Sequence, residues 1–321
     1  MLGLAENLTM RAFAQGIRTL PMRFDIITIF PEFFSGPLDW GVMRRSRAAS
    51  IIQTEIHDLR DWTRDRHNTV DDRPFGGGEG MVLKPEPLFE AVESVLGPAG
   101  AEERTSTAVI LLSASGKAFR QARAAALSRL NRIILLCGRY EGVDERVAEH
   151  LVDHELSVGD FVMSGGELGA AIIMDAVTRL LPGALGNEDS TRNESFHTAD
   201  AEHAGTVESA AGLVSDANQP VTPPYAAKIA WPAGTRSPAE TSRGILDFPH
   251  FTRPQVFREW EVPPVLLSGD HQQIRRWRRC AALAKTLRNR PDLLSDVPLT
   301  REDAAFLTEL ATETGEEKQS A

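Results

Sequence analysis

The chain has 321 residues, 42% of them hydrophobic and 25% charged, enough to bury one large core or two modest ones and too apolar for wholesale disorder. No run of about 18 apolar residues occurs, so no membrane-spanning helix is expected, and residues 1–21 lack the apolar segment and cleavage site of a signal peptide. A formal charge of −10 argues against nonspecific coating of nucleic acid, and the two cysteines, Cys137 and Cys280, fit a reduced, cytoplasmic protein without a catalytic thiol.

A first strand is expected over 22–30, stopped by Pro31 because proline cannot continue a sheet ladder. A helix around 38–50, a strand around 51–57 and a polar loop over 58–80 follow. The pattern then predicts a helix over 85–96 opened by two prolines, strand 107–112, helix 117–129, strand 132–137, helix 142–151, strand 156–162 and helix 166–181. Strands alternating with helices predict an α/β domain with a mainly parallel sheet covered on both faces. After Pro182-Gly183 the periodicity fades, and 183–243 reads as a long linker rich in Ala, Ser, Thr, Pro, Asn and acids. A small helical domain is expected from about 245 to 315. Its stretch 271–290 carries Arg275, Arg276, Arg278, Arg279, Lys285, Arg288 and Arg290 and no acid, while Ile274, Trp277, Ala281, Ala284 and Leu287 recur at helical spacing. One face is expected to pack and the arginines to face outward and meet phosphates.

Three glycine-bearing loops carry the chemical signal. Gly138-Arg139-Tyr140-Glu141-Gly142 follows the apolar run 133–137, and Ser164-Gly165-Gly166-Glu167-Leu168-Gly169 follows the strand-like run 156–163. Glycines at strand ends let the backbone approach a flat heteroaromatic ring and read its edges through N–H and C=O groups. Plain turns are the other reading of the same pattern. No G-x-G-x-x-G after a first strand and no G-x-x-x-x-G-K-[ST] occurs, which argues against a dinucleotide or phosphate loop. The third loop, DDRPFGGGEG with Arg73, Gly76, Gly77 and Gly78, reads either as flexible or as an anion nest. The histidines and cysteines show no metal spacing, so no zinc site is inferred.

CGRYEGVDER and SVGDFVMSGGEL resemble the cofactor-binding core of the bacterial tRNA (guanine-N1)-methyltransferases, the TrmD type of the SPOUT superfamily. The likeness extends to FDIITIFPEFF (24–34), DDRPFGGGEGMVLKPEPL (71–88), LPGALGNEDSTRNESF (181–196), DFPHFTRPQVF (247–257) and VPPVLLSGDHQQIRRWRR (262–279), covering roughly 22–196 and 244–295 in the family's order. It implies a SPOUT-type sheet with a deep trefoil knot and S-adenosylmethionine as methyl donor. The implied reaction is methylation of N1 of the guanosine immediately 3′ of the anticodon, position 37, in tRNA, by a homodimer whose active site lies at the subunit interface. The implied organisation is an extension over 1–21, with Met22 as an alternative start, and a methyltransferase domain over 22–182. A linker over 183–244 carries an insertion at about 197–243 where relatives have only a few residues. A helical tRNA-binding domain with an acidic tail closes the chain over 245–321.

The resemblance also assigns residues. The positions matching the family's donor contacts are Leu112, Ala114, Gly138, Tyr140, Glu141, Val158, Gly159, Phe161, Met163, Gly165 and Gly166, although the family has Pro at Ala114 and an aromatic at Leu111. Glu141, the only acid among them, either faces the cationic donor or helps hold the Mg²⁺ on which the family depends. Arg73, Gly76 and Gly77 fall near the substrate guanosine, and Arg275, Arg276 and Arg279 are the candidates for phosphate contacts. Methylating N1 needs a base for its proton and a donor aimed at the charge that develops on O6. The base position falls to Glu194, where relatives have Asp, with Asp189 and Glu188 as nearby substitutes. The O6 partner falls to Arg179, at the end of the last core helix. Two other readings stand beside this one: a SPOUT methyltransferase acting on another RNA or a ribose 2′-oxygen, and a non-catalytic RNA-binding relative, which Glu in place of Asp at 194 would favour.

Overall fold

Five strands build the sheet: β1 (Met22–Thr28), β2 (Ile52–Asp58), β5 (Thr107–Ala118), β6 (Arg132–Cys137) and β7 (His154–Ser157), in the order β2-β1-β6-β5-β7 with every pairing parallel. A computed structural model describes residues 20–98, 101–187, 244–295 and 297–317, which form one unit. Glu194 with its neighbours Glu188 and Asp189, most of the linker with its insertion, and residues 1–19 lie outside the described residues.

Along the central strand β6, successive side chains alternate between two cores. Ile133, Leu135 and Cys137 join Ala170, Ile173, Met174 and Val177 of helix α6 (Glu167–Thr178). Ile134 and Leu136 join Leu88, Phe89, Ala91 and Val92 of helix α2 (Pro85–Leu96) and Val147 of helix α5 (Glu145–His150). Both faces are thus covered, as a parallel sheet requires. Helices α1 (Gly41–Ala48), α3 (Ala101–Thr105) and α4 (Gln121–Leu127) complete this part. The loop expected over 58–80 also holds β3 (Asp71–Asp72), which pairs with β4 (Val82–Leu83).

The largest departures from the expected boundaries have local reasons. The strand expected to stop at 112 continues to Ala118, so helix α4 begins at Gln121 and not at 117. Leu156 pairs with both Leu112 and Lys117, which leaves 113–116 looped out of the ladder. At Gly116 a Cβ would lie 2.5 Å from the Leu156 backbone nitrogen, so the return into the ladder needs glycine. The strand expected to reach 162 ends at Ser157, whose hydroxyl donates to the Gly159 carbonyl at 2.9 Å and turns the chain. Beyond that turn Val162 is 89% exposed: its apolar neighbours looked like strand but have no ladder to join.

The C-terminal segment comprises the hairpin β8 (Val256–Phe257) and β9 (Trp260–Glu261), helix α7 (His271–Asn289), whose N-terminus is capped by the Asp270 side chain, and helix α8 (Arg301–Glu317). It is fastened to the sheet side by buried charge. Lys285 reaches Glu145 at 3.0 Å and Glu155 at 3.4 Å, and the buried Arg146 donates to the Thr252 carbonyl while pairing with Asp144. Arg290 pairs with Asp160 and Asp292.

A second buried network pins the sheet itself. Asp25, fully buried on β1, accepts from Arg23, Arg132 and His57. Burial alone would raise its carboxyl, but these hydrogen bonds outweigh it and hold it at about 2. Asp25, Glu55 and His57 bring possible metal-ligand atoms within 4.8 Å of one another, yet the two arginines already neutralise the acids, so the trio reads as an ion-pair network. Removing one partner of such a network leaves uncompensated buried charge, so Asp25→Asn should lower unfolding free energy in urea by about 3 kcal/mol. Folding lowers this carboxyl from 3.8 to about 2, so its contribution is complete above about pH 4 and is lost as the pH falls toward about 2. The variant should flatten that part of the acid unfolding profile.

Candidate active site at the strand ends

Two of the glycine loops are paired with each other. The Gly166 N–H donates to the Gly138 carbonyl at 2.9 Å, and Arg139 and Gly165 form an antiparallel bridge. The approach leaves no space for side chains: a Cβ on Gly166 would lie 2.8 Å from Cys137 Cα and 2.9 Å from Leu112 Cβ, and one on Gly138 would lie 3.3 Å from the Leu112 carbonyl oxygen. A Cβ on Gly169 would touch Leu112 and Met163. The fold therefore brings together Leu112, Gly138, Met163, Gly165 and Gly166 from three stretches of sequence. Ala114 is exposed in the 113–116 loop-out, Val158 packs against the core, and the Phe161 ring covers Gly159. Tyr140 holds a left-handed backbone, φ +58°, uncommon for a residue with a Cβ, and is 54% exposed at the loop tip.

Glu141 faces the third glycine loop. Its N–H donates to the Met81 carbonyl at 3.0 Å, and its carboxylate fills the space a Cβ on Gly80 would need. Gly76, Gly77, Gly78 and Gly80 all have positive φ, a run of backbone that residues with a Cβ rarely adopt. Arg73 is exposed, and its carbonyl accepts from Thr252 Oγ1 at 2.7 Å.

The basic helix does not present all its cations outward. Ile274 is buried, and Arg278, one turn later, lies on the same packed face. Its Nη2 donates to the Gly77 carbonyl at 2.5 Å, and its guanidinium sits 4.6 Å from the Phe248 ring centroid. Burial lowers its pKa, opposed by the charge of Asp247. Lys285 and Arg290 are also buried in ion pairs. Arg275 and Arg276 are exposed as expected, but Arg279 is gripped by Asp303 of α8 at 3.1 and 3.0 Å. The Arg279 hydrogen bonds hold the Asp303 carboxyl at about 2, against the opposing effect of burial. The apolar spacing that marked Ile274 and Ala281 as inward was the signal for Arg278; nothing local signalled Asp303.

Arg179 is half-buried at the C-cap of α6, its N–H donating to the Asp175 carbonyl at 3.1 Å. Burial pushes the Cys137 thiol well above its ordinary value, so it stays protonated beside the loop. Arg139 and Glu167, inside the two loop motifs but not assigned roles from sequence, form an ion pair across them.

A parallel α/β sheet whose strand ends carry hydrogen-bonded glycine loops is the architecture of a ligand-binding α/β enzyme. The sequence profile of the tRNA (Guanine-1)-methyltransferase TrmD family matches residues 22–206 and 235–296, and the chain belongs to that family. It is 51% identical over 290 residues to the tRNA (guanine-N(1)-)-methyltransferase of Koribacter versatilis, covering 90% of this chain and 98% of that relative. The proteins of the same name from Dictyoglomus turgidum and Dehalococcoides mccartyi strain BAV1 are 43% and 42% identical, over 92% and 91% of this chain and 99% and 98% of theirs. The match leaves out 207–234, a shorter stretch than the insertion expected at 197–243, and α8 lies beyond the matched residues.

Gly166→Ala forces a Cβ against the Cys137 backbone, which cannot give without displacing β6, so urea denaturation should show a loss of about 1–3 kcal/mol. Gly186→Ala meets nothing within 4 Å and should leave the transition where it is.

Proposed function

We propose that this chain transfers a methyl group from S-adenosylmethionine to N1 of guanosine 37, immediately 3′ of the anticodon, in tRNA. The observation that carries the reading is the paired glycine loops 138–142 and 164–166 beside Leu112, in a chain of the TrmD family. The residues present suit the donor. The glycines at 138, 165 and 166 let a flat ring approach the backbone with no Cβ in the way, and Leu112, Val158, Phe161 and Met163 supply apolar surface. Ala114, Tyr140, Glu141 and Gly159 complete the proposed cradle. Bound there, the donor supplies an electrophilic methyl on a sulfonium.

The chain's own residues do the remaining chemistry. Glu194 accepts the N1 proton as the new bond forms, and Arg179 donates to O6, where negative charge develops. Asp189 and Glu188 are the alternative bases. Glu141, lying over Gly80, either faces the cationic donor or helps hold Mg²⁺. The loop carrying Arg73, Gly76 and Gly77 receives the guanosine, and Arg275 and Arg276 of α7 contact phosphates. Arg279 joins them only when its pair with Asp303 opens.

The remaining expectations belong to the same proposal. The paired loops are read as part of a deep trefoil knot, 183–244 as the linker delivering Glu194, and 245–321 as the tRNA-binding part. A homodimer fits the exposed apolar side chains around the site. Leu168 and Ile172 lie one turn apart on the outer face of α6, and Phe161 and Val162, in the loop that leads into the helix, are also exposed. A second copy over this face would bring Arg179 and Glu194 together. No helix among the described residues is long and apolar enough to cross a membrane, and the proposed setting is the cytoplasm.

Incubation with labelled donor and unmodified tRNA, followed by nucleoside mapping, should give N1-methylguanosine at position 37; label on a ribose or elsewhere would transfer the reading to another SPOUT activity. Glu194→Gln should abolish transfer while retaining donor and tRNA affinity, and Glu194→Asp should keep part of it; normal turnover in Glu194→Gln would reassign the base. Arg179→Lys should depress turnover, since an ammonium does not reproduce the planar fork. Arg275→Ala and Arg276→Ala should each lower the magnitude of the log–log salt slope of tRNA binding by about one unit, and Asp303→Asn, which frees Arg279, should raise it. An unchanged slope in all three would remove α7 from the interface.

A further inference from the structure

The ion pair between Arg139 and Glu167 joins the exits of three sequence motifs. Glu167, 1% exposed at the first turn of α6, accepts from Thr28 Oγ1 at the end of β1 (2.7 Å) and from Arg139 Nε (3.1 Å). Arg139 Nη2 lies 2.9 Å from the second carboxylate oxygen but out of hydrogen-bonding alignment, so that oxygen has the charge contact without a directed donor. Arg139 Nη1 donates to the Ser164 carbonyl at 3.2 Å, and the guanidinium lies 4.4 Å from the ring centroid of Phe30, just past β1.

Two features mark this pair as more than packing. Burying two charges is an expensive way to fill space, since apolar residues of like volume are commonly as stable, so its distinctive product is a defined geometry. The glycine opposite is matched to it as well, because a Cβ on Gly165 would overlap Arg139 Nε. Two guanidinium nitrogens donate inside the fold and the third lies against the Glu167 carboxylate, which directs Arg139 at the protein. Its partners lie on both loops of the proposed donor cradle: it belongs to 138–142, while Ser164 and Glu167 flank Gly165 and Gly166.

We propose that Arg139 and Glu167 are positioning residues for donor binding. Their ion pair clamps loops 138–142 and 164–166 at the separation the cradle requires, so that the binding-competent arrangement is populated before the donor arrives. This rests on the reading of these loops as the donor site. The pair acts on the donor step alone and takes no part in proton transfer or RNA contact.

The test uses the full-length protein and Arg139→Ala, Arg139→Lys and Glu167→Gln. If loss of the clamp cuts the competent population to about a tenth, the dissociation constant for S-adenosylmethionine, measured by calorimetry, rises about tenfold. Arg139→Ala and Glu167→Gln should show this, and Arg139→Lys, which restores charge without the fork, should fall between Arg139→Ala and wild type. In the donor-free protein, the Gly166 amide should exchange with deuterium faster than in wild type. At saturating donor kcat should stay within a few-fold of wild type, and tRNA affinity without donor should not change. Donor affinity within twofold of wild type in Glu167→Gln, the variant that keeps size and the Thr28 hydrogen bond, overturns the proposal, and so does a fall in kcat at saturating donor with affinity intact. If Arg139→Ala does not fold, Glu167→Gln and Arg139→Lys decide alone. Failure of the wild-type protein to bind S-adenosylmethionine would instead overturn the reading of the site itself.

Discussion

At the end of β6 backbone meets backbone, and most of what the site can do follows from that contact. Gly138 leaves the strand directly against Gly166, with Leu112 of the neighbouring strand closing the third side, and no side chain fits between them. The consequence is a wall of peptide groups in place of side chains, rigid because its two halves are hydrogen-bonded to one another. Peptide groups can read a heteroaromatic edge without the rotamer entropy that a polar side chain loses on binding. The apolar residues needed beside them come from β5 and from the 158–163 loop, whose failure to form a strand leaves Phe161 and Val162 exposed.

The C-terminal segment is tied to this wall by charge. Lys285 sits between Glu145 and Glu155, Arg146 holds the carbonyl of Thr252, and the Asn289 side chain donates to the carbonyl of Ser115 inside the 113–116 loop-out. Buried pairs of this kind contribute little net stability but penalise any other docking, because each displaced partner would leave an uncompensated charge. Arg278 adds a link from α7 to the third glycine loop. The helix proposed to meet RNA is thereby coupled to the loop proposed to receive the base.

Short-range chemistry was legible in the sequence, and long-range pairing was not. Helix α2 starts at Pro85 and β6 spans 132–137 as expected, because a proline at N1 and a β-branched apolar run are local signals. The run 158–163 misled for the complementary reason: its apolar content matches a strand, but the Ser157–Gly159 turn removes it from the ladder. The glycine loops announced themselves because close backbone approach requires glycine. Their pairing, the reach of Arg139 to Glu167 across 28 positions, and the seizure of Arg279 by Asp303 depend on where distant segments meet, which no local pattern encodes. The inward face of α7 was half legible: Ile274 marked it, and Arg278 and Lys285 share it despite their charge.

The central claim is that the methyl donor occupies the cradle formed by the paired loops. The most direct measurement is a crystal structure of the protein grown with S-adenosylmethionine. The account predicts donor density against the backbone of Gly138, Tyr140 and Gly165, with Leu112 and Met163 in apolar contact. Density in another place, such as the polar cleft lined by Lys117, Arg123, His154 and Arg288, with the paired loops empty, would contradict it.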